Sequence, residues 1–209
     1  MGLVPHPGIQ PNDALPIFTP AVLNCCEAFS CGNEDLDAFF VNDAVRYSQQ
    51  LMGKTYAFVD TLSLKDIVCA FTVSNASIFT NYLPNARKKS IGRNLPWEKR
   101  DLIYPAVLIG RLGVNSAYKK RHVGSELLDY IKQWFVDPDN KTGCRYLVVD
   151  AYNQPVPLSF YERNGFKYMF SSEQQECVYR NIDSAEKLHT RMMYFDLMLL
   201  SSEEEGIAL

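Results

Sequence analysis

The sequence of 209 residues predicts an α/β fold, a mixed sheet with helices on its faces. Three observations carry this. "YPAVLIGRLGV" and "CRYLVVDAY" are nearly continuous apolar runs of the kind that form buried strands. From Tyr104 to Phe166 such runs alternate with stretches whose apolar residues recur at helical spacing. Ahead of them, one further helical stripe is followed by two runs rich in β-branched and aromatic residues. With 47% hydrophobic and 22% charged residues, the chain suffices for one compact domain over residues 1–209.

Taken in order, residues 1–20 carry Pro5, Pro7, Pro11, Pro16 and Pro20, which predict an extended arm reaching to about residue 23, with one edge strand at 15–19. In "CGNEDLDAFFVNDAVRYSQQLMG", Asn33 suits an N-cap, and Glu34, Asp35 and Asp37 suit the positive end of a helix. Leu36, Phe39, Phe40, Ala44, Tyr47 and Leu51 form its stripe, and Gly53 is read as its end. "KTYAFVD" and "DIVCAFTVSNASI" predict a hairpin. A loop with a short helix is expected between Tyr82 and Ile103. Val123, Leu127, Leu128, Ile131 and Phe135 predict a helix that "DPDNKTG" breaks. Pro155 and Pro157 fit the first turn of another helix, where N–H groups lack partners anyway, and Gly165 fits its C-terminal end. "FKYMF" and "MMYFDLMLL" predict the last two strands, and residues 201–209 a frayed tail.

The net charge of −3 implies no global attraction to nucleic acid or anionic membrane. No apolar run approaches the roughly 20 residues of a membrane span, and the first residues lack the basic-then-apolar order of a signal peptide. Six cysteines and three histidines show no zinc-ligand spacing, so no metal is expected; the cysteines read as reduced core residues of a cytoplasmic protein.

The stretch "YKKRHVGSELL" places three cations, a glycine and a serine where a strand hands over to a helix. A helix start offers unpaired N–H groups and a partial positive charge, so a pyrophosphate suits it. A charged surface turn is the bland alternative. The surroundings are more specific. "LGVNSAYKKRHVGSELLDYI" resembles the acyl-CoA-binding motif of the GNAT (Gcn5-related) N-acetyltransferases, which runs from a strand through a Q/R-x-x-G-x-G/A loop into a helix. "VVDAYNQPVPLSFYERNGF" resembles the strand, helix and F-Y-E-x-x-G-F ending that follow. "FSCGNEDLDAFFVNDA" and "GKTYAFVD" resemble the opening of a subgroup that includes toxins of toxin–antitoxin pairs.

The resemblance implies the GNAT fold: a mostly antiparallel mixed sheet whose central strands splay to admit acetyl-CoA. It implies that Leu112, Gly113 and Val114 lie along the pantetheine arm and orient the thioester. It implies that Lys119, Lys120, Arg121, His122, Val123, Gly124 and Ser125 hold the diphosphate, with Asn153 as a further cofactor contact. Tyr161 matches the tyrosine used as general acid toward the leaving thiolate of CoA. Two positions depart from the pattern. Lys119 replaces Gln or Arg, and His122 replaces the first glycine, where a left-handed conformation would cost on the order of 1 kcal/mol. The Asn153–Tyr161 spacing is one residue longer than the family's usual one.

The reaction implied is transfer of acetyl from acetyl-CoA to a primary amine by direct attack. The acceptor stays open among a small molecule, a protein and aminoacyl-tRNA, and a non-catalytic binding protein of the same fold is the alternative. Glu98, Asp101 and Asp60 are the candidate bases, each set against a plain surface role. Arg87, Lys88, Lys89, Arg93, Lys99 and Arg100 crowd residues 87–100 and suit a polyanion if they do not simply face water. The toxin resemblance adds a small antitoxin as partner, and a homodimer is a further expectation.

Overall fold

The computed structural model describes residues 20–60, 63, 65–81, 83–92, 103–119, 121–183 and 187–200. The expected arm over residues 1–19 and the expected tail lie outside them. In chain order the elements are α1 (Pro20–Cys25), α2 (Glu34–Ala38), a π-helical turn (Phe39–Asp43), α3 (Ala44–Gln49), β1 (Lys54–Val59), β2 (Ile67–Phe79), α4 (Asn85–Ile91), β3 (Ile103–Val114), α5 (Val123–Val136), β4 (Tyr146–Tyr152), α6 (Pro155–Arg163), β5 (Lys167–Tyr168), α7 (Glu173–Arg180) and β6 (Thr190–Asp196). Six strands hydrogen-bond in the order β1-β2-β3-β4-β6-β5. The α/β class read from the sequence is the one found. The described residues form two compact units.

The first unit holds residues up to Ser74 together with Ile109–Asn140. Residues 20–23, the end of the expected arm, belong instead to α1 (Pro20–Cys25); proline is tolerated at a helix start. Asn33 caps α2 as its side chain predicts, accepting from the Leu36 N–H at 3.1 Å. The single helix expected up to Leu51 is interrupted by the π turn and ends at Gln49, and Leu51, not Gly53, takes the left-handed conformation (φ 59°). Gly53 serves close approach: a Cβ there would sit 2.8 Å from the Tyr47 ring and 2.9 Å from the Val73 carbonyl oxygen. The β1–β2 hairpin is antiparallel, running from Lys54↔Val73 to a register shift at Phe58/Val59. Phe29, Cys31, Phe40, Ala44, Ala57, Ile67 and Ala70 make one buried cluster, with the Phe29 and Phe40 rings edge to face at 5.3 Å. On α5 the predicted stripe is buried, and Trp134 meets the Tyr56 ring at 5.0 Å.

The second unit holds Asn75–Leu108 and the residues from Lys141 onward. Its core gathers Ile78, Leu83, Ile91, Tyr104, Ala106, Tyr146, Met169, Phe170 and Tyr194. The Arg145 N–H donates to the Pro105 carbonyl at 3.1 Å, which sets the entry of β4 beside the start of β3. β4 and β6 pair antiparallel from Tyr146↔Asp196 to Tyr152↔Thr190. The last strand therefore starts earlier than "MMYFDLMLL" and stops at Asp196. Gly165 ends α6 with φ 83°, and a Cβ there would lie 2.9 Å from the Phe195 ring. α7 has no counterpart in the sequence reading. Ser172 caps it, accepting from the Gln175 N–H at 3.3 Å while the Gln175 side chain accepts from the Ser171 N–H.

Candidate active site

The strand-to-helix turn forms as expected, and its geometry answers the question posed by His122. This residue is the N-cap of α5 and sits at φ 61°, ψ 4°, in the left-handed region. The chain thus keeps the conformation for which glycine is the usual residue, and histidine bears a cost of about 1–2 kcal/mol for it. Alternating left- and right-handed residues turn successive N–H groups toward one side, which makes an anion-binding concavity. The His122 side chain makes no capping hydrogen bond. The His122 carbonyl accepts from the N–H groups of Ser125 (3.0 Å) and Glu126 (3.1 Å). The first-turn N–H groups of Val123 and Gly124 have no acceptor among the described residues, as at any helix start left uncapped. These amides, the half-buried Gly124 and the exposed Arg121 fit a diphosphate. Lys120 lies outside the described residues.

Lys119 departs from the picture of a free cation beside the loop. Its ammonium comes within 3.5 Å of where a Cβ on Gly32 would be, so it folds back over the loop before α2. Upstream, Gly113 is buried against Phe29, Phe40 and Cys31; a Cβ there would meet each at 3.2–3.3 Å. Glycine lets β3 approach that aromatic cluster closely. Leu112 and Val114, one step along a strand on either side, present to the opposite face.

We expect His122→Gly to raise stability by about 1 kcal/mol, since glycine bears no left-handed penalty, although its extra unfolded-state entropy offsets part of the gain. Urea unfolding of the two proteins checks this. Acetyl-CoA affinity in the variant should equal or exceed that of the parent.

The remaining candidates belong to the second unit. Tyr161 sits on α6, half-buried, with its ring edge to face against Phe160 (5.1 Å) and Phe166 (5.3 Å). Its hydroxyl has no hydrogen-bond partner among the described residues, and burial pushes the phenol well above its ordinary range. Asn153 follows β4. Its side-chain N–H donates to the Leu188 carbonyl at 2.8 Å and its backbone N–H to the His189 carbonyl at 2.9 Å, so it also ties down the entry to β6.

Of the candidate bases, Glu98 and Asp101 lie outside the described residues. Asp60 is engaged: its carboxylate accepts from the Tyr118 hydroxyl at 2.7 Å. The basic segment is described only as far as Gly92. Its helix α4 is held by sheet tyrosines. Tyr146 donates its hydroxyl to the Ile91 carbonyl, and Arg87 donates to the Tyr194 hydroxyl at 3.3 Å and lies over the same ring. Lys88 donates to the Asn81 carbonyl at 2.9 Å, while Lys89 is exposed. Sequence reasoning missed Tyr118, Asp66 and these tyrosines as site-shaping residues. Their partners are about 50 to 107 positions away, and no local pattern marks such contacts.

A family model for the acetyltransferase (GNAT) domain matches residues 95–168. Among solved structures, a tyrosine-to-phenylalanine mutant of KacT is similar with a TM-score of 0.64 and 17% identity, covering 87% of this chain and 94% of that one. AtaT complexed with acetyl-methionyl-tRNAfMet gives 0.63 and 17%, covering 85% and 91%. AtaTR bound with AcCoA gives 0.59 and 19%, covering 84% and 91%. At these identities the likeness is one of fold.

Proposed function

We propose that this chain, which carries a GNAT acetyltransferase domain, moves acetyl from acetyl-CoA to the amine of an aminoacyl-tRNA. The observation that carries the cofactor half is the left-handed His122 turn opening an uncapped α5, a cradle of amides matched to a diphosphate. Val123 and Gly124 hold that group through their N–H groups, while the Ser125 N–H is engaged by the His122 carbonyl, and Arg121 adds charge. Leu112, Gly113 and Val114 orient the thioester arm. Acetyl-CoA supplies the activated acyl group. The acceptor nitrogen bonds to the acetyl carbon as the C–S bond breaks. The amine gives up a proton to water, the departing sulfur takes one from the Tyr161 hydroxyl, and the phenolate so formed is reprotonated from water. An aminoacyl ester amine has a lowered pKa, so little help from a base is required.

Two features support the acceptor. The cation-bearing α4 is a fixed element rather than a solvated loop, with Lys89 outward. The similar protein AtaT is seen complexed with acetyl-methionyl-tRNAfMet. By the same likeness, a small antitoxin is the proposed protein partner, as AtaT has been seen bound to the C-terminus of its antitoxin AtaR. All six cysteines are free, which supports a cytoplasmic setting. No helix among the described residues is long and apolar enough to cross a membrane.

The test is transfer from radiolabelled acetyl-CoA to a panel of aminoacyl-tRNAs, N-terminal peptides, lysine peptides and polyamines. Label that partitions with tRNA and leaves with the amino acid on mild alkaline deacylation is expected. Label found only on peptides or polyamines overturns the acceptor. No transfer to any of them, with no acetyl-CoA binding by calorimetry, overturns the whole reading.

A further inference from the structure

The segment between β3 and α5 is fastened before it reaches the anion-binding turn. The Asn115 N–H donates to the Val68 carbonyl (2.9 Å), and its side-chain N–H donates to the Ile67 carbonyl (2.9 Å). The Asn115 side-chain oxygen accepts from the Ala117 N–H at 3.0 Å. The Ser116 N–H donates to the Ser30 carbonyl at 2.9 Å. The last fastening is a side-chain one. Asp60 and Asp66 stand at the two ends of the β1–β2 connection, joined by the Asp60 N–H to the Asp66 carbonyl at 2.8 Å. Both carboxylates face the Tyr118 hydroxyl, which donates to Asp60 Oδ2 at 2.7 Å and reaches Asp66 Oδ2 at 3.4 Å. On the ring so fixed lies the guanidinium of Arg121, 5.5 Å from its centroid. The next residue is His122, in its left-handed conformation.

We infer that Asp60 and Tyr118 form a latch that presets the anion-binding turn, with the Tyr118 ring carrying Arg121 into place for the CoA phosphates. This rests on the cofactor reading above and adds two positioning residues to it. The physical reason is preorganisation. A loop and an arginine ordered before the ligand arrives lose less freedom on binding, so more of the interaction energy appears as affinity. The hydrogen bond to Asp60, more than burial, pushes the Tyr118 phenol up to about 12, so the donor keeps its proton through neutral and mildly alkaline pH. Asp60, a candidate base in the sequence reading, is thereby given a different task.

The experiment measures acetyl-CoA Kd by calorimetry, kcat at saturating acetyl-CoA, and Tm, on the full chain and five variants, one of them double. Tyr118→Phe keeps the ring under Arg121 and removes the latch; we expect Kd to rise about three- to fivefold. Asp60→Asn keeps an acceptor oxygen while giving up the charge, so its rise should be smaller. Tyr118→Leu removes the ring as well, with an expected rise of about tenfold. Arg121→Ala should weaken binding less in a Tyr118→Leu background than in the parent, because the two act as a unit. For the Tyr118 and Asp60 single variants, kcat at saturating acetyl-CoA should stay within about twofold. Far-ultraviolet circular dichroism confirms that each variant is folded. A lowered Tm with Kd within twofold of the parent in both Tyr118→Phe and Asp60→Asn makes the contact merely structural and overturns the latch. Failure of the parent itself to bind acetyl-CoA overturns the cofactor reading instead.

Discussion

Tyr161→Phe is expected to lower kcat at least tenfold while leaving acetyl-CoA Kd within about twofold. The variant removes one oxygen and keeps the ring, so the edge-to-face contacts with Phe160 and Phe166 persist and the fold should be unaffected. What disappears is a proton donor, and a well-placed general acid contributes about 10²–10⁴-fold. The hydroxyl is suited to such use because no protein group claims it among the described residues, in contrast to Tyr118, Tyr146 and Tyr194. Burial is the cause that raises its pKa, so the phenol stays protonated across the usual assay range. An alkaline fall in kcat between pH 6 and 9 is accordingly not expected from Tyr161 in the parent. The measurement is single-turnover transfer with the cofactor saturating, to separate chemistry from product release. A rate unchanged in the variant removes Tyr161 from the chemistry and leaves it a packing residue.

How much of this was legible beforehand depends on the range over which each feature is decided. The Asn33 cap, the β1–β2 hairpin, α5 with its stripe, and α6 between Pro155 and Gly165 were readable because neighbouring residues determine them. The limits of the π turn were not. Phe39, Phe40 and Ala44 still follow the apolar spacing of a helix, and the extra backbone turn leaves no mark on that spacing. His122 shows the opposite limit. Its residue type argues against a left-handed conformation, yet the segment before it is fastened at Asn115, Ser116 and Tyr118 by partners far away in sequence. Tertiary contacts override the local preference there. α7 was missed for a third reason. Its capping signal is present at Ser172 and Gln175, but one of its two buried residues is a glutamate, so no apolar stripe announces it.

That glutamate sets up the largest stability effect we expect: Glu176→Ala should cost about 3 kcal/mol in urea unfolding. Glu176 is completely buried. Its Oε1 accepts from Arg180 Nη2 and from the Met192 N–H, each at 2.7 Å, and its Oε2 accepts from Arg191 Nε at 2.7 Å. One carboxylate thus fastens α7 to β6 through a backbone amide and two guanidinium groups. Arg180 also reaches Asp150 on β4 at 2.7 Å. Removing a buried partner strands the others, which typically costs 3–5 kcal/mol. The lower end applies because the Arg180 and Arg191 side chains keep 22% and 10% of their exposure and can turn partly to water. Glu176→Gln should cost less than alanine, since it keeps the shape and one acceptor oxygen while giving up the charge. Pairing Glu176→Leu with Arg191→Met should recover part of the alanine loss, because it removes one of the two guanidinium groups that alanine strands, while Arg180 keeps Asp150. A loss below 1 kcal/mol for Glu176→Ala would mean that both arginines reach solvent freely and that α7 is held by packing at Cys177 instead.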